Sequence, residues 1–175
     1  KTPRELVELL ARESVSAGAA PLVASVFDQH LDFVTLEPTL FSLQRRGCSY
    51  VEYNDPSAGE AQIVAAMGQI AHGIFAALVA LGGVPVIRAP RGGAAEMVAR
   101  AVHELVAQAF HAGGVFQPAP SGGRPLLVVS ERALDALAPL QHTATYQALI
   151  DDLLPHSLNR VTVEVAPPPG ADAPS

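Results

Sequence analysis

Residues 124–154 change hydrophobic period partway along, and that change restricts the chain to folds that lead a strand into a helix. Arg124-Pro125 opens onto Leu126-Leu127-Val128-Val129, a short continuous apolar run of β-forming residues. Such a run predicts a strand covered on both faces. A polar, proline-containing joint follows from Ser130 to His142. Apolar positions then recur as Tyr146, Leu149, Ile150, Leu153 and Leu154, the three-and-four spacing of a helix with one buried face.

The preceding residues alternate in the same way. Residues 3–12 predict an amphipathic helix with Leu6, Leu9 and Leu10 on one face, and residues 21–33 a short helix or an extended connection. Residues 36–45 read as a short helix ended by Gly47, and residues 49–53 alternate as a strand does. Asn54-Asp55-Pro56-Ser57 is turn chemistry, and Ser57 with Glu60 has capping-box spacing. A long helix then carries Ile63, Met67, Ile70, Ile74, Leu78 and Leu81 along one stripe. Residues 84–88 predict a strand, Arg91-Gly92-Gly93 a turn, and residues 94–111 a helix whose inner face is Met97, Ala101 and Leu105, with Val98 and Val102 beside it. A Gly- and Pro-rich loop spans 112–124, the strand 126–129 and the helix near 143–154 follow, and Val161 to Val165 is again β-type. The tail, 166–175, is Pro-rich and reads as disordered. Strand and helix in alternation predict an α/β fold, a parallel sheet flanked by helices.

Composition narrows what such a fold does. The chain has 175 residues, enough for one domain or a piece of something larger. Apolar residues make up 49%, but aromatics only 5% with no Trp, so the core must be small aliphatic packing. The net charge is −6 and the 11 basic residues are unclustered, which argues against a nucleic-acid surface and against direct attraction to anionic lipid. Cys48 is the only cysteine, so no intrachain disulfide can form and a reducing compartment fits best. A filler role suits Cys48 better than a nucleophilic one. The opening KTPRELVELL has neither the basic nor the apolar region of a signal peptide, and its lack of Met suggests excision from a longer chain. Residues 70–87 carry no formal charge, yet Gly82-Gly83-Val84-Pro85 interrupts them, whereas a spanning helix needs roughly 20 apolar residues. They read as a helix stop followed by a buried strand.

Each candidate for chemistry has a plainer structural explanation. Arg91-Gly92-Gly93 sits between strand and helix, where α/β proteins often hold phosphate, but it fits neither the dinucleotide nor the P-loop signature. A tight turn needing glycine explains it, and Glu96 in the first turn of the helix would repel an anion. Of His30, His72, His103, His111, His142 and His156, none stands in a zinc-type arrangement. Asp151, Asp152 and His156 could converge at a helix end, but ordinary helix-end polarity accounts for them. His142 or Thr143 would cap the last helix. Ser121 and Ser130 lack a nucleophile elbow, and Glu131 with Asp135 fits a solvated strand exit. No catalytic, cofactor-binding or metal-binding residue is assigned, and partner-binding residues stay unassigned.

Three stretches, in fixed order over residues 22–165, are similar to one family. Leu126-Leu127-Val128-Val129-Ser130-Glu131-Arg132, Asp135, Pro139-Leu140-Gln141-His142, Thr145-Tyr146-Gln147-Ala148-Leu149, Asp152 and Asn159-Arg160-Val161 form the first. Val26 to Phe33 with Leu36-Glu37-Pro38 is the second, and Val84 to Val98 the third. Together they resemble the SM proteins, Sec-one and Munc-eighteen-like syntaxin-binding regulators of vesicle fusion, and within them the Sly-one-type branch that serves traffic between endoplasmic reticulum and Golgi. The chain departs from the family pattern at Glu131, where Asp is usual, and at Ala144, where a Trp is common.

The resemblance implies the end of a first domain over 1–45, the first half of an α/β middle domain over 46–138, and the start of a helical third domain over 139–165. It implies an incomplete sheet with uncovered faces or edges. It also implies a non-enzymatic scaffold without cofactor, cytoplasmic and peripheral on endoplasmic reticulum and Golgi membranes, whose partners are syntaxin-type SNAREs bound mostly through other parts of the parent protein. Two alternatives stand beside it: a small α/β nucleotide- or phosphate-binding domain, and a degenerate SM relative without activity.

Overall fold

Among the described residues, two helices and a parallel strand pair carry most of the core, joined by Phe116 and by Tyr53 packed against it. The computed structural model describes residues 4–27, 29–45, 48–113, 115–116, 123–135, 137–142, 144–158 and 160–163. In chain order the elements are α1 (Arg4–Ser16), β1 (Val34–Glu37), β2 (Leu40–Ser42), α2 (Cys48–Asn54), α3 (Glu60–Leu81), β3 (Val86–Arg88), α4 (Ala94–Ala112), β4 (Leu126–Val128), α5 (Tyr146–Leu153), β5 (His156–Ser157) and β6 (Arg160–Val161).

The β3–α4–β4 unit is the predicted α/β element. β3 and β4 pair in parallel, Val86 opposite Leu126, Ile87 opposite Leu127 and Arg88 opposite Val128. Two further backbone bonds extend the pairing, Val86 N–H to Pro125 and Val129 N–H to Arg88. The Arg124 guanidinium locks its start by donating to the Val84 and Pro85 carbonyls at 3.2 and 2.6 Å. The strand is not covered on both faces, however. Leu127 packs on the core, while Leu126 and Val128 point outward, 63% and 64% exposed. No second layer of helices lies over that face among the described residues, so the sheet is one-sided here.

α3 packs against α4 through small residues. Ala66, Met67, Ala71, Phe75, Ala76, Ala77 and Leu78 are buried on α3, and Ala95, Val98, Ala99, Val102 and Val106 on α4. The predicted inner face of α4 is therefore rotated by one residue: its centre is Val98-Val102-Val106, with Met97, Ala101 and Leu105 only flanking it. Ile63, Ile70 and Ile74 flank the α3 stripe, and Leu81 is 74% exposed. Burying each of Leu78, Val98, Val102 and Val106 contributes about 1.5–3 kcal/mol. α3 is long and apolar enough to cross a membrane by length and composition, but here it serves as the core helix. It stops at Gly82, which takes the left-handed φ of 75° that glycine adopts freely and donates its N–H to Leu78 and Val79.

Residues 34–54 differ most from expectation. The predicted helix over 36–45 is an antiparallel hairpin turning at Pro38-Thr39, with Val34 opposite Ser42 and Thr35 opposite Phe41. Pro38 sets the turn, and Phe33 meets Phe41 edge-on at 5.8 Å. The predicted strand over 49–53 is α2, held by Asn54 Nδ2 donating to the Tyr50 carbonyl at 2.8 Å and by Glu52 pairing with Arg45. Tyr53 packs on the core from this helix. The capping box also moves. Gly59 is the cap, its N–H donated to Gln62 Oε1 at 3.1 Å, while Ser57 bonds Asp55 Oδ1 instead.

The margins are lightly packed. α1 buries nothing, and Leu6, Leu9 and Leu10 are about half exposed. α5 begins at Tyr146 with Thr145 as its cap residue, and its inner face is only half-buried: Leu149 and Ile150 are partly covered, while Tyr146 is 83% and Leu153 70% exposed. The predicted burial is met only in part, at Leu149 and Ile150. The β-type run at 161–165 is reduced to β6, antiparallel to β5. Residues 164–165 and the tail lie outside the described residues.

Candidate functional site

The carboxyl ends of β3 and β4 meet the start of α4, the place where an α/β protein most often binds a ligand. After β3 the chain passes through Ala89-Pro90 to Gly92, whose φ of 85° requires glycine, and then Gly93 begins the helix. Two carboxylates occupy the backbone donors there. Glu96 Oε2 accepts the Gly92 N–H at 2.6 Å, while its Oε1 accepts from Arg100 at 2.7 Å. Glu131 Oε1, from the exit of β4, accepts the Ala95 N–H at 2.8 Å. The Gly92 N–H, and after it Arg100, hold the Glu96 carboxyl below its ordinary range. A phosphate would have to displace one carboxylate and sit beside the other. The turn that looked like a phosphate loop is thus filled by the protein's own acids.

Beside it lies an open cavity of about 540 Å³, lined mainly by apolar groups of Tyr53, Met67, Ile70, Val98 and Leu127, with Ser130 and Arg132 at its mouth. Its size suits a small ligand. Ser49, Asn54, Ser130, Glu131 and Arg132 also line it, with Glu131 Oε1 committed to the Ala95 N–H. Among the described residues no three His, Cys, Asp or Glu side chains gather as a metal site.

The remaining candidates fall in separate places. His142 Nδ1 meets Asp152 Oδ2 at 3.2 Å, tying the joint to α5 instead of capping it. Asp135 and Glu131 do not form a pair: Asp135 Oδ1 accepts the N–H groups of Leu137 and Ala138, both at 3.1 Å. His30 packs edge-on against Phe75 at 5.3 Å, and His72, His103 and His111 are exposed. Ser121 and Thr143, and the side chains of Cys48 and His156, lie outside the described residues.

Sequence reasoning missed two contacts. Gly73 on α3 is buried where a Cβ would come within 2.6 Å of a Leu43 methyl and 3.0 Å of the Asp32 carbonyl, so glycine admits the connecting segment onto the helix. Arg45 bridges from that segment to Glu52 on α2 and Gln69 on α3. A glycine inside an otherwise apolar helix was the one available signal for the first; nothing local announces the second.

A family model described as the Sec1 family matches residues 1–173. The chain is 41% identical to "SEC1 family transport protein SLY1" of Arabidopsis thaliana over 93% of its own length and 26% of that protein's. It is 37% identical to "Protein sly1" of Schizosaccharomyces pombe, over 92% of this chain and 25% of the relative. Among solved structures it is similar to Sly1p crystallised in complex with an N-terminal peptide of Sed5p, with a TM-score of 0.78 and 31% identity over 92% of this chain and 26% of that one. The chain therefore spans about a quarter of the length of the relatives it matches. The order of strand, turn, helix and strand, the motifs along it and these likenesses agree: the chain belongs to the Sec1 family, on its Sly1 branch.

Proposed function

We propose that this chain is part of an SM-type regulator of SNARE-mediated vesicle docking and fusion between endoplasmic reticulum and Golgi, and that this stretch is its scaffold. The likeness to Sly1p, crystallised with an N-terminal peptide of Sed5p, carries the reading. The parent binds syntaxin-type SNAREs and promotes SNARE assembly mainly through surfaces outside this stretch. Residues 1–45 close its first domain, 46–138 begin the middle domain and 139–165 lead into the third. It performs no chemistry, needs no cofactor, and resides in the cytoplasm, peripheral on membranes through its SNARE partners. The internal filling of the α4 start by Glu96 and Glu131 supports bracing over phosphate binding.

Passing the 175-residue chain and a full-length Sly1 relative over an immobilised syntaxin-type N-terminal peptide tests this. Retention of the full-length protein with little or none of the chain is expected. Firm retention of the chain overturns the scaffold reading. In parallel, common nucleotides should leave its melting curve unmoved, whereas a ligand at 100 times its Kd would add about 2.7 kcal/mol.

A further inference from the structure

The exit of β4 holds a contact that links residues far apart in sequence. Glu131 reaches back to α4 and accepts the Ala95 N–H at 2.8 Å. A Cβ on Gly93 would come within 2.1 Å of Glu131 Oε1 and 2.9 Å of its Cδ. Gly93 has φ −145°, an extended conformation open to any residue. An alanine at 93 would therefore displace the Glu131 carboxylate from its place without straining the backbone. The two acids divide the helix start between them, since Glu96 is spent on Gly92 and Arg100.

Directly after Glu131 the chain turns away. Arg132–Leu134 and Ala138–Leu140 form 3-10 turns, and bonds among the described residues there include Leu134 N–H to Glu131, Asp135 N–H to Arg132, the Leu137 and Ala138 N–H groups to Asp135 Oδ1, and His142 Nδ1 to Asp152. The arm then carries α5, which has no fully buried residue and is half-buried only at Ala148 to Ile150. A long lever that is weakly packed along its length takes its direction from its root.

We propose that Glu131 and Gly93 form a paired joint that fixes the direction in which the arm bearing α5 leaves the α/β unit. Glu131 is a positioning residue, and Gly93 is the vacancy that lets it dock. This rests on the scaffold reading and gives it a mechanism: modules are held in register by pinning the linker where it departs.

The joint is tested in the full chain with Cys48→Ser, by spin labels at His103→Cys on α4 and Gln147→Cys on α5 and a pulsed electron-resonance distance measurement. A narrow distance distribution is expected, broadened by Glu131→Ala and equally by Gly93→Ala, and largely kept by Glu131→Gln, which retains an acceptor oxygen. Gly93→Ala should add nothing in the Glu131→Ala background, because the pair acts as one unit. The Ala95 amide should exchange about tenfold faster in Glu131→Ala, as expected for losing one bond to a charged group, while the Val102 amide stays protected. Should Glu131→Ala unfold the chain and expose Val102, the Gly93→Ala and Glu131→Gln arms still decide. An unchanged distribution in Gly93→Ala, or further broadening by Gly93→Ala after Glu131→Ala, overturns the joint. Neither result touches the scaffold reading, which fails only on peptide retention.

Discussion

α3–α4 and α5 have the same kind of sequence, apolar residues at helical spacing, yet the first pair has a fully buried seam and the other helix has no fully buried residue. Val102 is fully buried at the centre of the first, whereas Tyr146 and Leu153 of the second are largely exposed. The pattern specifies a helix and the face it offers; burial needs a second surface, which α3 and α4 find in each other and α5 finds only in part. A one-sided β4 teaches the same lesson, with Leu127 inside and Leu126 and Val128 outside.

Truncation would break this contrast most sharply. Phe75→Ala removes the ring that joins His30, Phe116 and the α3–α4 seam, and should cost about 3–5 kcal/mol. Leu153→Ala on α5 should stay within about 0.5 kcal/mol, as for exposed positions generally. Urea midpoints measure both, and similar losses would erase the distinction.

A smaller effect sharpens the edge of the core. Glu96 titrates below its ordinary value of 4.5 in the folded chain because Gly92 and Arg100 hold its charged form. A lowered folded value means the contribution is present above pH 4.5 and disappears as pH falls through the folded value. The Gly92 amide resonance should therefore titrate with a midpoint below 4.5; a midpoint at or above it would show that the carboxylate is not engaged.

The α/β unit was legible because its signals are local and mutually consistent. Val86, Ile87 and Leu127 are β-forming, Gly82 and Gly92 punctuate, and the helices between are long. Residues 34–54 were not. Leu36, Leu40 and Leu43 mimic helical spacing, while Pro38 turns the chain into a hairpin. Tyr50 to Tyr53 alternate like a strand, yet Arg45 and the core draw Glu52 and Tyr53 into a helix. Tertiary contacts overrode propensity there. At the candidate site, the sequence already gave Glu96 its place at the helix start and offered no ligand set. The docking of Glu131 over Gly93 was out of reach, because it depends on a pairing that only the folded sheet creates.

Residue-resolved amide exchange on the intact 175-residue chain addresses the central contrast most directly. Amides of α3 and α4 around Ala71 and Val102 should exchange only through global unfolding, and those of α5 faster by several orders of magnitude. Equal protection of α5 and α4 would mean that the arm belongs to the core, and the picture of a packed unit with a pinned but unpacked arm would be wrong.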